Sequence, residues 1–418
     1  MVRVKERSWW SVLSKAVLHL PMHMLEWWNE DHQKAIPLMT QRSWKELEKE
    51  LRRTLESHHN GNDLNPHIPL MPSSEMIALI AKIQQETAEL NRNNVTRTAA
   101  YKRIYDEFPE IHWALLAHMV SRNGGWSMTD LQGEWLPRLL GEQERKDLFL
   151  FLEHANAYIF QDAYPQLALY RESKRRNKNL MPLIGRFHVS RFMLPIWERF
   201  MHSGESELLS VALIINEQHY IEDRVVRDPY FTSHVVESPA FQLQSLLQLN
   251  QILFPAHSSD PTVPYRLSGL IIEDFSSLDE RIHFGKDLYA ILFRKKDMLS
   301  GVLGFAGAHP HTGSRQDYWP QLFSSIRRSP PAFNYKAKLE NGRLRKGAPP
   351  IFSPRLEAAW KEQSLRDPDR KDWFQNEKAI GYLKDIRPPK HVDMEQEAIW
   401  GMEKLEAAVL AGQWLGWS

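Results

Sequence analysis

The chain has 418 residues, with 53 Lys and Arg against 52 Asp and Glu, 15 Trp, 19 Gly and no cysteine. A 42% hydrophobic, 25% charged and 11% aromatic composition excludes wholesale disorder and low-complexity architectures, and a net charge of +1 removes any whole-chain argument for nucleic acid. Without cysteine there is no disulfide framework, thiolate zinc site, iron–sulfur cluster or cysteine nucleophile, a composition that fits a reducing cytoplasm.

Residues 1–28 begin with Arg3, Lys5 and Arg7 and continue through Trp9, Trp10, Val12 and Leu13. Lys15, His19, Pro21, His23 and Glu26 interrupt the stretch and no small-residue cleavage site follows, so it is not read as a secretory signal. Its apolar residues form an amphipathic segment, expected to dock on the helical body, with a peripheral membrane contact as the alternative. No window approaches about 18 uninterrupted apolar residues. The protein is therefore expected to be soluble and cytoplasmic.

Asn60 to Pro72 is rich in Asn, Gly and Pro and reads as a loop. After it, Met76, Ile77, Leu79, Ile80, Ile83, Thr87 and Leu90 make one helical stripe starting at Ser73. Helices follow over Thr96–Glu107 and Glu110–Arg122, the second ended by Asn123-Gly124-Gly125 as a glycine cap. Ser127 to Asp130 has capping-box spacing and opens another. Residues 144–164 are apolar almost all round, as in a buried helix. Further helices are expected over 180–201, 205–226 and Phe241–Phe254, and two more flank Arg294–Asp297. From Arg327 to Arg355 there are eight basic residues, one acid and five prolines, the composition of a linker or arm. Helical patterning returns over Arg355–Gln363 and Asp393–Gly412.

Low glycine and helical periodicity predict an all-α fold: a large irregular multi-helix bundle with N- and C-terminal helical extensions. Its expected parts are a Trp-rich N-terminal segment and loop (1–72), an all-α main domain (73–326), and a basic Pro-rich arm with C-terminal helices (327–418). Ten of the 15 tryptophans lie in the first 44 or last 59 positions, and both ends are expected to bury them on the helical core.

Phosphate-loop, dinucleotide, HExxH and nucleophile-elbow motifs are missing. Gly301, Gly304 and Gly307 are three apart and suggest a small-residue packing face. A ferritin-like site needs two Glu-x-x-His pairs. Of the two available, Glu56/His59 abuts a polar loop, leaving only Glu280/His283, so no metal is assigned.

Two constellations are candidates for chemistry. His118 and Arg122 share a stripe with Ile111 and Leu115; Glu153 and Asn156 share one with Phe149 and Phe160; Glu217 follows an apolar run from Val211 to Ile215. Buried charges need partners, so Arg122 is expected to meet Glu153 or Glu217. The group is either a structural ion-pair network or a polar pocket, with His118, Glu153 and Glu217 as acid–base residues and Arg122 and Asn156 as ligand contacts. The second constellation is His309 to Tyr318. There Ser314 begins a helical turn, Ser314 and Arg315 with nearby N–H groups suit a small anion such as phosphate, and His311 could act as acid or base. The ordinary alternative is a capped loop with exposed histidines. The basic runs Arg171–Lys178 and Arg327–Arg355 carry little aromatic interleaving, which disfavours nucleic acid.

The segments Asn93 to Tyr101, Pro109 to Trp126, Met128 to Leu131, and His311 to Arg315 with Asp317-Tyr318 resemble the YppC-like family of uncharacterised Bacillus-type proteins, over roughly residues 70–330. The resemblance implies a bacterial, cytoplasmic protein of a spore-forming Gram-positive lineage and transfers no activity, cofactor or site. The favoured role is binding or scaffolding. Alternatives are an enzyme acting on a phosphorylated or other anionic substrate, and a metal-dependent helical oxidoreductase.

Overall fold

A computed structural model describes residues 32–59, 73–242, 250–257, 265–327 and 330–415. The fold is all-α in class. Its long helices are α1 (Gln41–His59), α2 (Ser74–Leu90), α3 (Asn94–Glu107), α4 (His112–Asp130), α5 (Glu142–Arg176), α6 (Met193–Ser203), α7 (Ser206–Ile221), α8 (Leu278–Arg294), α9 (Lys296–Ala308) and α10 (Glu395–Trp414). Local sequence sets several starts. Ser73 caps α2 by accepting from the Met76 N–H, and Asn93 and Thr96 form a reciprocal capping box on α3. The 35-residue α5 is the central post, packed by α2, α3, α4 and α7, and α7 in turn meets α6 and α8.

Helix α4 does not stop at Asn123-Gly124-Gly125. It runs on to Asp130, and Ser127 Oγ bonds back to the Asn123 carbonyl at 3.1 Å instead of capping a new helix. The glycines serve close approach. A Cβ on Gly125 would lie 2.6 Å from both the His311 ring and Asn94 Oδ1, whereas one on Gly124 would sit 3.5 Å from the Asn156 amide.

The expected helix over Phe241–Phe254 is also corrected. After the short strand β1 (Ile36–Pro37), which pairs with Asp385–Ile386, Gln251 to Phe254 belong to strand β2 (Gln251–His257), antiparallel to β3 (Tyr265–Ile271) with Gln251 opposite Ile271. A short buried apolar run does not distinguish helix from strand by periodicity. Tertiary contacts decide here: α9 covers β2, and the Asn123 side chain imitates a neighbouring strand by accepting from Leu253 N at 2.9 Å and donating to Leu253 O at 3.1 Å. Gly307 faces open space, so the glycine face of α9 is not used along its whole length. Over 355–363 only the turn Leu356–Ala359 is helical.

The basic arm is held in place. A hairpin pairs Leu339–Glu340 with Arg343–Leu344, and Ile351–Phe352 pairs in parallel with Phe323–Ser324. Tyr335 joins three parts: its hydroxyl accepts from Trp135 Nε1 at 2.9 Å and donates to Glu406 of α10 at 2.6 Å. Trp44 is buried, Trp360 stacks on Phe149 and Trp373 donates to Asn216, as expected. Trp400 and Trp414 depart from that expectation at 55% and 88% exposed, while Trp9, Trp10, Trp27, Trp28 and Trp417 lie outside the described residues. No described helix is long and apolar enough to cross a membrane.

Candidate ligand-binding cavity

A cavity of about 190 Å³ opens among α4, α5, α7, α8 and the β2–β3 hairpin. Each helix lines it at helical spacing: Trp113, Ala117, Val120 and Gly124 from α4, Phe151, Leu152, Ala155, Asn156 and Ile159 from α5, and Phe284, Gly285 and Leu288 from α8. Gly285 lets α7 approach, since a Cβ there would lie 2.6 Å from Ile214. Most of the wall is apolar. The polar groups gather around Glu217 and Gln218 on α7, with Arg281, Ser121 and Asn156 at other points of the lining.

Glu217 is the electrostatic centre. Trp113 Nε1 donates to its Oε2 at 3.1 Å and Gln218 Nε2 to its Oε1 at 3.2 Å. Glu217 is half-buried and lines the cavity, and burial pushes its pKa up to about 8 against the pull of those two donors. The group is thus a neutral acid at pH 7, with both oxygens already accepting and an O–H still to donate. Arg281 does not ionise it. That guanidinium is spent on Gln218 Oε1, the Phe275 and Ser276 carbonyls and the Glu222 carboxylate. Beyond Glu217, Asp162 is likewise raised by burial, to about 7, while accepting from Asn216 and Gln166.

Of the residues singled out from the sequence, Asn156 and Glu217 meet at this cavity. The others are placed elsewhere. Glu153 pairs with Arg97 at 2.5 Å, both buried, so the partner expected for it, Arg122, is replaced by an arginine from α3. Arg122 instead donates to the His309 carbonyl at 2.7 Å, with its guanidinium 5.0 Å from the Phe305 ring centre and 5.6 Å from that of Tyr318. Arg315 bonds Asp130 at 2.5 Å and lies 5.1 Å from the Trp126 ring, and Ser314 donates to the Ser353 carbonyl. The two arginines thus flank an aromatic stack in which Trp126 meets Tyr318 edge-on at 4.6 Å. The anion expected at Arg315 is met by a carboxylate of the chain itself.

His118 and His311 lie on the far side of Gly124-Gly125 from Glu217, yet a polar chain joins them to the cavity wall. Asn94 Nδ2 donates to Ser121 O and Oγ, which turns Asn94 Oδ1 to accept from His311 Nε2 at 2.7 Å. Gly313 N donates to His311 Nδ1, and Asp317, 3.6 Å from that nitrogen, is held below its usual range despite burial by the neighbouring His311 ring and by bonds from Thr312 N and Oγ1. His118 bonds the Thr98 carbonyl at 2.8 Å, and burial, reinforced by Arg122, drives its pKa down to about 3. Glu280 and His283 do not form half a metal site: Glu280 caps the Asp274 N–H and His283 bonds the Asp279 carbonyl. Among the described residues, no group of three or more His, Asp and Glu side chains gathers as a metal site.

Asn94, Trp113 and Ser121 are the residues that the helical stripes pass over. The cavity face of α4 is the stripe 113, 117, 120, 124 and 127, adjacent to the one containing His118 and Arg122. Its signal was a Trp aligned with small residues.

A family described as "Protein of unknown function (DUF2515)" matches residues 89–406. The chain belongs to this family. DUF2515 coverage takes in the cavity, the basic arm and most of α10, further than the 70–330 over which the resemblance was read. Within Bacillus subtilis (strain 168), "Uncharacterized protein YppC" is 36% identical over 337 residues, covering 81% of this chain and 96% of that protein. No solved structure matches.

Proposed function

We propose that this DUF2515 protein is a cytoplasmic binding protein that holds one small, largely apolar molecule, bearing a carbonyl or hydroxyl oxygen, against Glu217. The observation that carries the reading is the cavity itself, an apolar wall with two polar groups that keep hydrogen-bonding capacity, the protonated Glu217 carboxyl and the Asn156 amide, whose one bond is to the Leu152 carbonyl. An apolar cavity of roughly 150 Å³ accepts benzene, so about 190 Å³ suits a single ring or short branched chain with one polar substituent. The Glu217 O–H complements an acceptor oxygen. An organic anion has no partner there, because Arg281 is already fully bonded. Binding is favoured over catalysis because His118 and His311 do not share the cavity with Glu217. The cysteine-free composition supports the cytoplasmic placement.

Thermal-shift titration with phenol, indole, cyclohexanone and benzyl alcohol, against benzoate and phosphate, tests this. Saturable stabilisation is expected from the neutral oxygen-bearing compounds and indole's response should be weaker. Ala117→Phe, which fills the cavity, should stay folded and lose the response. A flat response to every neutral compound, or an undiminished one in Ala117→Phe, rejects the proposal and leaves the cavity as a packing void.

A further inference from the structure

The exposed apolar side chains are not scattered. Of the eight large hydrophobics on the surface of the described residues, five are Ile326, Phe333, Trp400, Trp414 and Leu415, all in the last quarter of the chain. Scattered single residues of this kind need no explanation, but a concentration does. Trp400 and Trp414 are fourteen residues apart on α10, which places them within about 40° of one face and about 21 Å apart along the axis. Lys404, Ala407 and Ala411 lie between them on that exposed face, while Ala398, Met402, Leu405 and Val409 bury the opposite one. The outer surface of α10 is therefore largely apolar around Lys404, with a tryptophan at either end.

The basic arm runs along the flank of this face. Glu403 accepts from Gly342 N at 2.9 Å, Glu406 accepts from Tyr335, Lys338 and Leu339, and Gln413 accepts from Tyr335 N, so the segment that carries Phe333, 81% exposed, is held at the C-terminal end of α10. Lys336, Arg343, Arg345 and Lys346 are all exposed on the arm. Among them only Arg345 has a carboxylate nearby, Glu340 at 3.9 Å. The acids of the face and arm are Glu340 on the hairpin, Glu397 in the first turn of α10 and Glu403, already bonded to Gly342 N, against five cations with Lys404 counted; Asp393 and Glu395 lie at the start of the helix.

We propose that the outer face of α10 and the adjoining arm dock on an anionic phospholipid bilayer, with Trp400, Trp414 and Phe333 in the interface and Lys336, Arg343, Arg345 and Lys346 on headgroup phosphates. Tryptophan favours the level of the headgroups, and clustered Lys and Arg favour a surface rich in acidic lipid. The arm also carries a groove of about 540 Å³ lined in part by Lys336, Arg345 and Lys346, whose clustered cations favour an anionic surface. A second copy is disfavoured by charge, since pairing two such faces would juxtapose two basic arms. This surface is separate from the cavity and does not depend on it.

Co-sedimentation of the full chain with phosphatidylcholine vesicles, and with vesicles containing roughly 30% phosphatidylglycerol, decides the matter. Pelleting is expected only with the anionic vesicles, and weakening on going from about 0.1 to 0.5 M salt. The double variant Trp400→Ser/Trp414→Ser and the triple variant Lys336→Glu/Arg343→Glu/Lys346→Glu should each lower the partition by about tenfold or more with unchanged circular dichroism. Trp9→Ser/Trp10→Ser in the same chain should leave it intact. No pelleting on anionic vesicles overturns the proposal, as does loss of binding only in Trp9→Ser/Trp10→Ser. So does a dimer, seen by light scattering without vesicles, that Trp400→Ser/Trp414→Ser dissolves.

Discussion

Trp113 and Glu217 meet across the helical core through a 3.1 Å hydrogen bond from the indole N–H to a carboxyl that is neutral at pH 7. Its folded pKa of about 8 is above the value of an unfolded chain, so between about pH 4.5 and 8 the native state holds a proton that the unfolded state does not. The stability that Glu217 contributes is thus fully present at the acid end of that window and is lost as the pH rises through it, by at most about 1.4 kcal/mol per pH unit. Glu217→Gln keeps an acceptor for Trp113 and removes the titration. Urea midpoints from pH 5 to 8 should fall less steeply in this variant than in the parent, with part of the slope kept by Asp162, which is raised in the same direction. Identical slopes would show that Glu217 is ionised in the native state.

A second buried carboxylate has a structural role. Glu153 is charged against Arg97 in a buried pair, and neutralising it leaves a guanidinium whose remaining bonds are to the Asn91 side chain and carbonyl. Breaking such a pair from one side costs about 3–5 kcal/mol. Glu153→Gln should therefore lower stability by that order at pH 7, while Glu217→Gln is nearly neutral there. Chemical denaturation of the two proteins side by side checks this, and equal losses would refute the division between a structural and a cavity-facing acid.

That division marks the limit of what the sequence makes legible. The 3.6-residue stripes and the cap at Ser73 identify α2, α3, α5, α7, α8 and α10, because those signals are local, although the Asn93 cap starts α3 two residues before the expected Thr96. Asn156 and Glu217 stand out as polar residues on apolar helices, but their partners come from other helices and have no fixed spacing in the chain. Arg122 and Glu153 look like complementary charges, yet α3 supplies Arg97 from nearer at hand. Glycine misleads for the same reason: Gly124-Gly125 has the composition of a helix end, and its use in packing depends on His311, distant in sequence and adjacent in space. Strand β2 is decided by Asn123 and by α9, which no window over 241–254 contains.

On the acid side, His118 supplies the complementary limb. Its pKa, near 3 in the folded protein, is depressed below that of an unfolded histidine, so its contribution is present above about pH 6.5 and is lost as the pH falls toward 3. His118→Asn retains a donor for the Thr98 carbonyl and cannot take up the proton. The variant should resist acid better than the parent, with a shallower loss of stability between pH 6 and 4 by circular dichroism. A parental acid limb would place the titrating histidine elsewhere, at His112, depressed to about 4 by burial, or at His311, which burial also lowers.

Neighbouring glycines should answer alanine with opposite signs. At Gly124 the added methyl meets Asn156 at an ordinary 3.5 Å, and the gain in helix propensity, about 1 kcal/mol, is largely realised. At Gly125 it enters the space of His311 and Asn94 Oδ1 at 2.6 Å, and the 2.7 Å bond between those two side chains must open or α4 must shift. Overpacking of this kind costs about 1–3 kcal/mol, more than propensity returns. Gly124→Ala is expected to raise Tm slightly and Gly125→Ala to lower it. If Gly125→Ala is as stable as Gly124→Ala, His311 is free to move aside, and its link through Asn94 to Ser121 at the cavity wall is not a fixed part of the fold.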